Sequence, residues 1–183
     1  MRKTAGFLKM CCTFVIVLLV IVAVTLAAGF AVIALSPSFS ELAAKAGNAI
    51  TIEGGNLTPA EMDALKPVIL GVMGAALAGL VLFIMGTLKT RTALNECKEE
   101  RPFSRKCAES LKASARLEII AGLVGIAASL IMNFMAGRLT FGGTPAGSTT
   151  VTFSLSFVFY AVEKYLLYHV ACYGHSLEKN SAQ

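Results

Sequence analysis

Apolar residues along this chain fall into long blocks rather than periodic stripes. Residues 10–35 run without a charge, and further apolar blocks cover 67–88 and 117–136, with a weaker fourth over 153–172. Each is close to the roughly 20 residues that a helix needs to cross about 30 Å of hydrocarbon. The pattern predicts an all-α membrane protein, four transmembrane helices in a bundle, organised as a single domain over 1–183. The basic start (Arg2, Lys3, Lys9) and the small residues Ala27-Ala28-Gly29 also suit a signal peptide. A cleaved apolar core is only about 7–15 residues long, so the longer run reads as an uncleaved first helix.

The connecting segments carry turn and cap signals. Ser36-Pro37 ends the first block, and 36–66 is polar and loosely acidic. Residues 49–53 alternate apolar and polar and stop at Gly54-Gly55, which predicts a short strand and turn. Thr58-Pro59-Ala60-Glu61 is a capping box with proline at the first helical position, so the second helix starts there. Residues 139–141 and 149–153 flank a Gly/Pro-rich turn and predict a hairpin. With 49–53 it would form a small β-sheet from the outer loops. Gly71, Ala75 and Gly79 recur every four residues, as do Gly74 and Ala78, and Ala121 and Gly125 repeat the spacing. Small residues so placed let membrane helices approach closely, within one subunit or, through Gly71, Ala75 and Gly79, between copies.

One stretch, 89–116, is strongly charged and holds eight of the sixteen Lys and Arg. Residues 89–100 contain good helix formers and no breaker, so the second helix continues past the apolar block. Arg101-Pro102-Phe103 stops it, and Ser104 caps a helix opening on Arg105 and Lys106. Cations there oppose the helix dipole, a cost that anionic headgroups would offset. The prediction is a helical hairpin with a docking surface for a soluble partner at Arg101, Pro102, Phe103 and Ser104, Phe103 being an exposed aromatic anchor. The alternative is a solvated connector whose charges only fix topology.

With 56% hydrophobic and 15% charged residues, the chain departs from soluble averages of about 45–50% and 25%. Its net charge of +5 tracks the ends of the apolar blocks, which argues for orientation in a bilayer and against direct nucleic-acid binding. Thirteen of sixteen Lys and Arg fall on the side of the termini and the 89–116 stretch. That bias predicts a multi-pass inner-membrane protein with both termini cytoplasmic. Cys11, Cys12, Cys97, Cys107 and Cys172 all lie on that side, away from the oxidising compartment.

Candidate chemistry is sparse. Glu163 and Lys164 form the one ionisable pair well inside a predicted span, and such groups face a bundle interior or a cavity unless the helix sits low enough for them to reach the headgroups. They motivate a second reading, a small transporter or proton-coupled subunit using Glu163. A third is a structural subunit of a larger complex. His169 and His175 do not share a helix face, Cys97 and Cys107 lack zinc spacing, and no metal or cofactor is expected. His169 reads as a polar residue near the interface, and four tyrosines on the last helix suit interfacial anchoring. The sequence holds no nucleophile elbow, phosphate loop or zinc-protease helix, so a non-enzyme is expected.

The run ERPFSRKCAESLKASARLEIIAGLVG resembles the signature of a bacterial family catalogued as domain of unknown function 2975. That signature is a charged residue, Pro-Phe-Ser/Thr, a few polar residues, Leu, and a basic approach to the third helix. The tail LLYHVACYGHSLEKN is similar to the family's ending, Tyr-Gly-x-x-Leu followed by Glu and Asn. Lys106-Cys107 stands where the family usually shows Asn. The resemblance implies a four-helix bacterial inner-membrane protein of unassigned activity. It also implies, from a frequent gene neighbour, a partner such as a small helix-turn-helix regulator.

Overall fold

The computed structural model describes residues 2–46, 58–99, 101–136, 140–141, 144–145 and 156–181. Helix α1 covers Arg2–Leu35, the short α2 Phe39–Ala46, α3 Pro59–Lys98, α4 Arg105–Ala136 and α5 Ser156–Ser181. At 1.5 Å per residue, the 40 residues of α3 reach about 60 Å, roughly twice a hydrocarbon core. Its charged end therefore extends beyond its apolar part, as its composition predicts.

Three helices among the described residues are long and apolar enough to cross a membrane: Thr4–Leu35, Met62–Lys98 and Arg105–Ile131. α5 is not among them, because Glu163, Lys164, His169, His175, Glu178 and Lys179 dilute its apolar content. Exposure agrees with a membrane protein. Phe7, Met10, Phe14, Val17, Ile21, Val24 and Val32 of α1 are all more than half exposed, a surface that water would penalise and lipid would not.

The chain divides into two compact units. One comprises Val24–Leu77 and Val124–Phe153. Here α3 begins on Pro59, as the capping signal predicts, with the Met62 amide donating to Thr58 O at 3.1 Å. The segment 36–66 holds a helix, α2, that the loop reading lacks. Its free amides find acceptors: Phe39 N and Ser40 N donate to Asp63 Oδ1 at 2.7 and 3.0 Å, and Glu41 N donates to Ser38 Oγ at 3.2 Å. An acceptor 24 residues away in sequence supplies much of that cap, which local pattern does not reveal. The strand expected at 49–53 lies outside the described residues. Strand β1 (Thr140–Phe141) pairs antiparallel with β2 (Thr144–Pro145), a tighter turn than the expected 139–141 with 149–153. Residues 149–153 lie outside the described set.

The other unit comprises Met1–Ala23, Ala78–Leu123 and Ser154–Gln183 and holds the candidate site. α3 and α4 run antiparallel through small residues. Gly86 meets Ser114 and Glu118, Ala93 O accepts from Cys107 Sγ at 3.8 Å, and Ala93, Ala108 and Ala115 are buried. α5 turns Phe157, Ala161, Lys164 and Ala171 along one helical stripe, with Ala161 1% and Ala171 4% exposed. The ring of Phe157 occupies the space where a side chain at Gly122 would sit. The spacing of Ala121 and Gly125 marks those two for close approach; the ring lies one residue away, on Gly122, and a Cβ at Gly125 would meet nothing within 4 Å.

Gly122→Ala forces Phe157 to move and should cost about 1–3 kcal/mol. Thermal denaturation in mild detergent checks this. Phe157→Ala added to Gly122→Ala should recover part of the difference between that single variant and wild type.

Candidate functional site

The hairpin forms as its local signals predict. α3 ends at Lys98 and α4 opens at Arg105 with Ser104 as its cap, the Cys107 amide donating to Ser104 Oγ at 3.1 Å. Glu96 ties the turn together. Its backbone oxygen accepts from Arg101 N at 3.0 Å, and its carboxylate accepts from Ser104 Oγ at 3.2 Å and lies 2.9 Å from Lys106 Nζ. Arg105 Nε sits 2.8 Å from Glu109 Oε1. The cations at the start of α4 thus have carboxylate partners inside the protein.

The tip corrects one expectation. Arg101 is exposed, but Pro102, Phe103 and Ser104 are only partly so. The ring of Phe103 fills the space over Gly174 of α5, where any Cβ would collide with it. Phe103 is therefore a packing residue rather than an exposed anchor, because burial on a glycine outweighs exposure to water for an aromatic ring. The contact joins Pro102-Phe103-Ser104 to Tyr173-Gly174, one from each of the two motif segments.

The expected intramembrane pair also separates. Glu163 is exposed, while Lys164 lies one residue on, within the inward stripe of α5. Adjacent residues of a helix point about 100° apart, so both could not face inward. Lys164 pairs instead with Glu118 of α4. The Glu118 side chain is 6% exposed and that of Lys164 19%. A hydroxyl chain supports them. Lys164 Nζ donates to Ser114 Oγ at 3.2 Å, and the fully buried Ser114 donates to Gly86 O at 2.9 Å. With its own hydrogen so used, Ser114 accepts from Thr90 Oγ1 at 2.8 Å. Glu118 Oε2 is buried and has no hydrogen-bond partner among the described residues. Sequence reading missed Glu118, although an acid and a base placed singly in two apolar blocks is itself a signal for pairing.

The pair stands at the wall of a cavity of about 580 Å³. Leu8, Cys12 and Val15 come from α1, Phe83, Thr87 and Thr90 from α3, and Phe157 and Tyr160 from α5. His169 lies apart, exposed and edge-on to Tyr168 with ring centroids 5.0 Å apart. Lys112 stands 5.1 Å over the Tyr168 ring, a cation–π contact between α4 and α5. No cluster of three metal-ligating side chains occurs among the described residues. A Cβ at Gly71, in the other unit, would meet nothing within 4 Å.

Lys164→Met leaves a buried carboxylate unpaired and should destabilise the protein by about 3 kcal/mol. Glu118→Gln combined with Lys164→Met should be closer to wild type than Lys164→Met alone. Denaturant titration of the three proteins in micelles reads both. No protein-family model, curated protein or solved structure matches this chain.

Proposed function

We propose that the protein is a multi-pass module of the bacterial inner membrane that binds a cytoplasmic partner through the 89–116 hairpin, in a regulatory role without catalysis. A fourth crossing by α5 and cytoplasmic placement of both termini belong to this reading, supported by the distribution of Lys and Arg. The carrying observation is the charge state of the hairpin surface. The segment has eight Lys and Arg against four Glu, and two of those Glu, Glu96 and Glu109, are already taken by Lys106 and Arg105. Lys89 and Lys98 of α3, Arg101 of the turn and Arg116 of α4 remain exposed; the Glu96 knot ties the turn to both helices and Phe103 sets it against α5. A rigid basic surface recognises an acidic partner at low ordering cost. Membership of the domain of unknown function 2975 family is part of the proposal, supported by the meeting of its two motif segments at Phe103 and Gly174. A small helix-turn-helix regulator with an acidic face would be such a partner.

A transporter using Glu163 draws no support from the cavity, since that carboxylate lies on the exposed face of α5. Oligomer formation through Gly71, Ala75 and Gly79 fits the open space beside Gly71.

Affinity capture from cytosol should retain a protein on wild type and on Phe103→Leu, and lose it on the triple variant Lys98→Glu, Arg101→Glu, Arg116→Glu. Equal recovery on all three would refute the docking surface. Capture should also weaken steeply between low and high salt. For topology, green fluorescent protein fused after Gln183 should fluoresce and alkaline phosphatase fused there should be inactive; the reverse result overturns the orientation.

A further inference from the structure

The cavity beside the buried ion pair is more than a packing defect. A void of about 580 Å³ falls within the roughly 300–1,000 Å³ of small-molecule sites. Its walls are mostly apolar: Leu8, Val15, Phe83, Phe157 and Tyr160. Polar groups converge at Glu118 and Lys164, with Thr90 beside them. Two binding valences are open there. Glu118 is nine-tenths buried, yet its Oε2 accepts nothing from any described residue. A buried carboxylate oxygen left so is a standing cost unless something donates to it. Lys164 has three ammonium protons, of which Glu118 Oε1 and Ser114 Oγ take two.

Charge selects the occupant. Glu118 and Lys164 neutralise each other, so a charged guest would add an uncompensated charge to an apolar chamber. An uncharged head carrying both a donor and an acceptor satisfies both open valences at no such cost. We propose that this cavity binds an uncharged amphiphile, with an alcohol or primary amide head that donates to Glu118 Oε2 and accepts from Lys164 Nζ, and a hydrocarbon body lying against Phe83, Phe157 and Val15. A molecule of this kind dissolves in the bilayer and reaches the protein from there.

Cys11 and Cys12 line the cavity and report its occupancy. The protein in phosphatidylcholine nanodiscs is treated with N-ethylmaleimide, and modification of each cysteine is followed by peptide mass spectrometry. Probes are 1-decanol, decanamide, decylamine, decanoate and n-decane, compared at equal mole fraction in the bilayer. Decanol and decanamide should slow labelling at Cys11 and Cys12 about fivefold to tenfold relative to decane, the worth of one or two hydrogen bonds. Cys172 does not line this cavity and should keep its rate. Val15→Trp fills the cavity without touching the ion pair and should abolish the protection. Glu118→Gln, provided it folds, should reduce it. Equal protection by decane, stronger protection by decylamine or decanoate, or no protection by any probe would each overturn the proposal. So would protection that survives Val15→Trp.

Discussion

A carboxylate and an ammonium removed from water between apolar helices must find each other, or the helices cannot pack around them. Glu118 and Lys164 meet that requirement, and much of the unit around them follows. Idealised transfer of either ion into a medium of low dielectric costs on the order of 20 kcal/mol, and several kcal/mol even after relaxation. Mutual attraction alone repays this poorly, so the remaining protons need acceptors. Ser114 supplies one, and in doing so must itself be satisfied by Gly86 O and Thr90. The pair therefore specifies which faces of α3, α4 and α5 come together. A helix rotated by one residue would replace Lys164 by Glu163 beside Glu118, and two carboxylates repel.

Close approach of α3 and α4 follows from the same place. A small side chain at 114 facing Gly86 lets the serine hydroxyl reach a backbone carbonyl of the facing helix. The seam then runs outward through Ala93 and Cys107 to Glu96 and Ser104 at the turn. Each contact lies further along α3 and correspondingly earlier along α4, which is the signature of an antiparallel hairpin. The buried polar cluster at one end and the Glu96 knot at the other hold the pair like two fasteners. The charged tip inherits its rigidity from residues that never reach its surface.

The parts legible in the sequence are those encoded locally. Apolar blocks mark the long helices, the capping box puts the start of α3 at Pro59, and Ser104 announces α4. What escaped depends on distant partners. The cap of α2 comes from Asp63, and Phe103 is an exposed anchor until Gly174 is brought beneath it. Glu163 and Lys164 are adjacent in sequence, but they lie on different faces of α5. Helical periodicity was enough to separate them: 157, 161, 164, 168 and 171 share a stripe, and 163 does not. Glu118 stands one residue inside an apolar block, beside a charged flank that masks it in the sequence.

Packing of Phe103 on Gly174 also changes what kind of docking surface the hairpin would offer under the proposed function. An exposed aromatic ring would supply affinity by filling a partner's pocket, and its loss would act mainly on dissociation. A rim of lysines and arginines on a fixed hairpin works differently. It contributes long-range attraction and orientation, accelerates encounter, and is weakened by salt. Self-pairing of Glu96 and Glu109 would strengthen this character, since it takes two of the segment's four negative charges out of competition with those of the proposed partner. The ring of Phe103 keeps the tip against α5, so that the proposed binding would not have to order it first. Pro102 and Phe103 thus act as the stop and the clamp of the hairpin, and under the proposed function recognition would pass to the charges they hold in place.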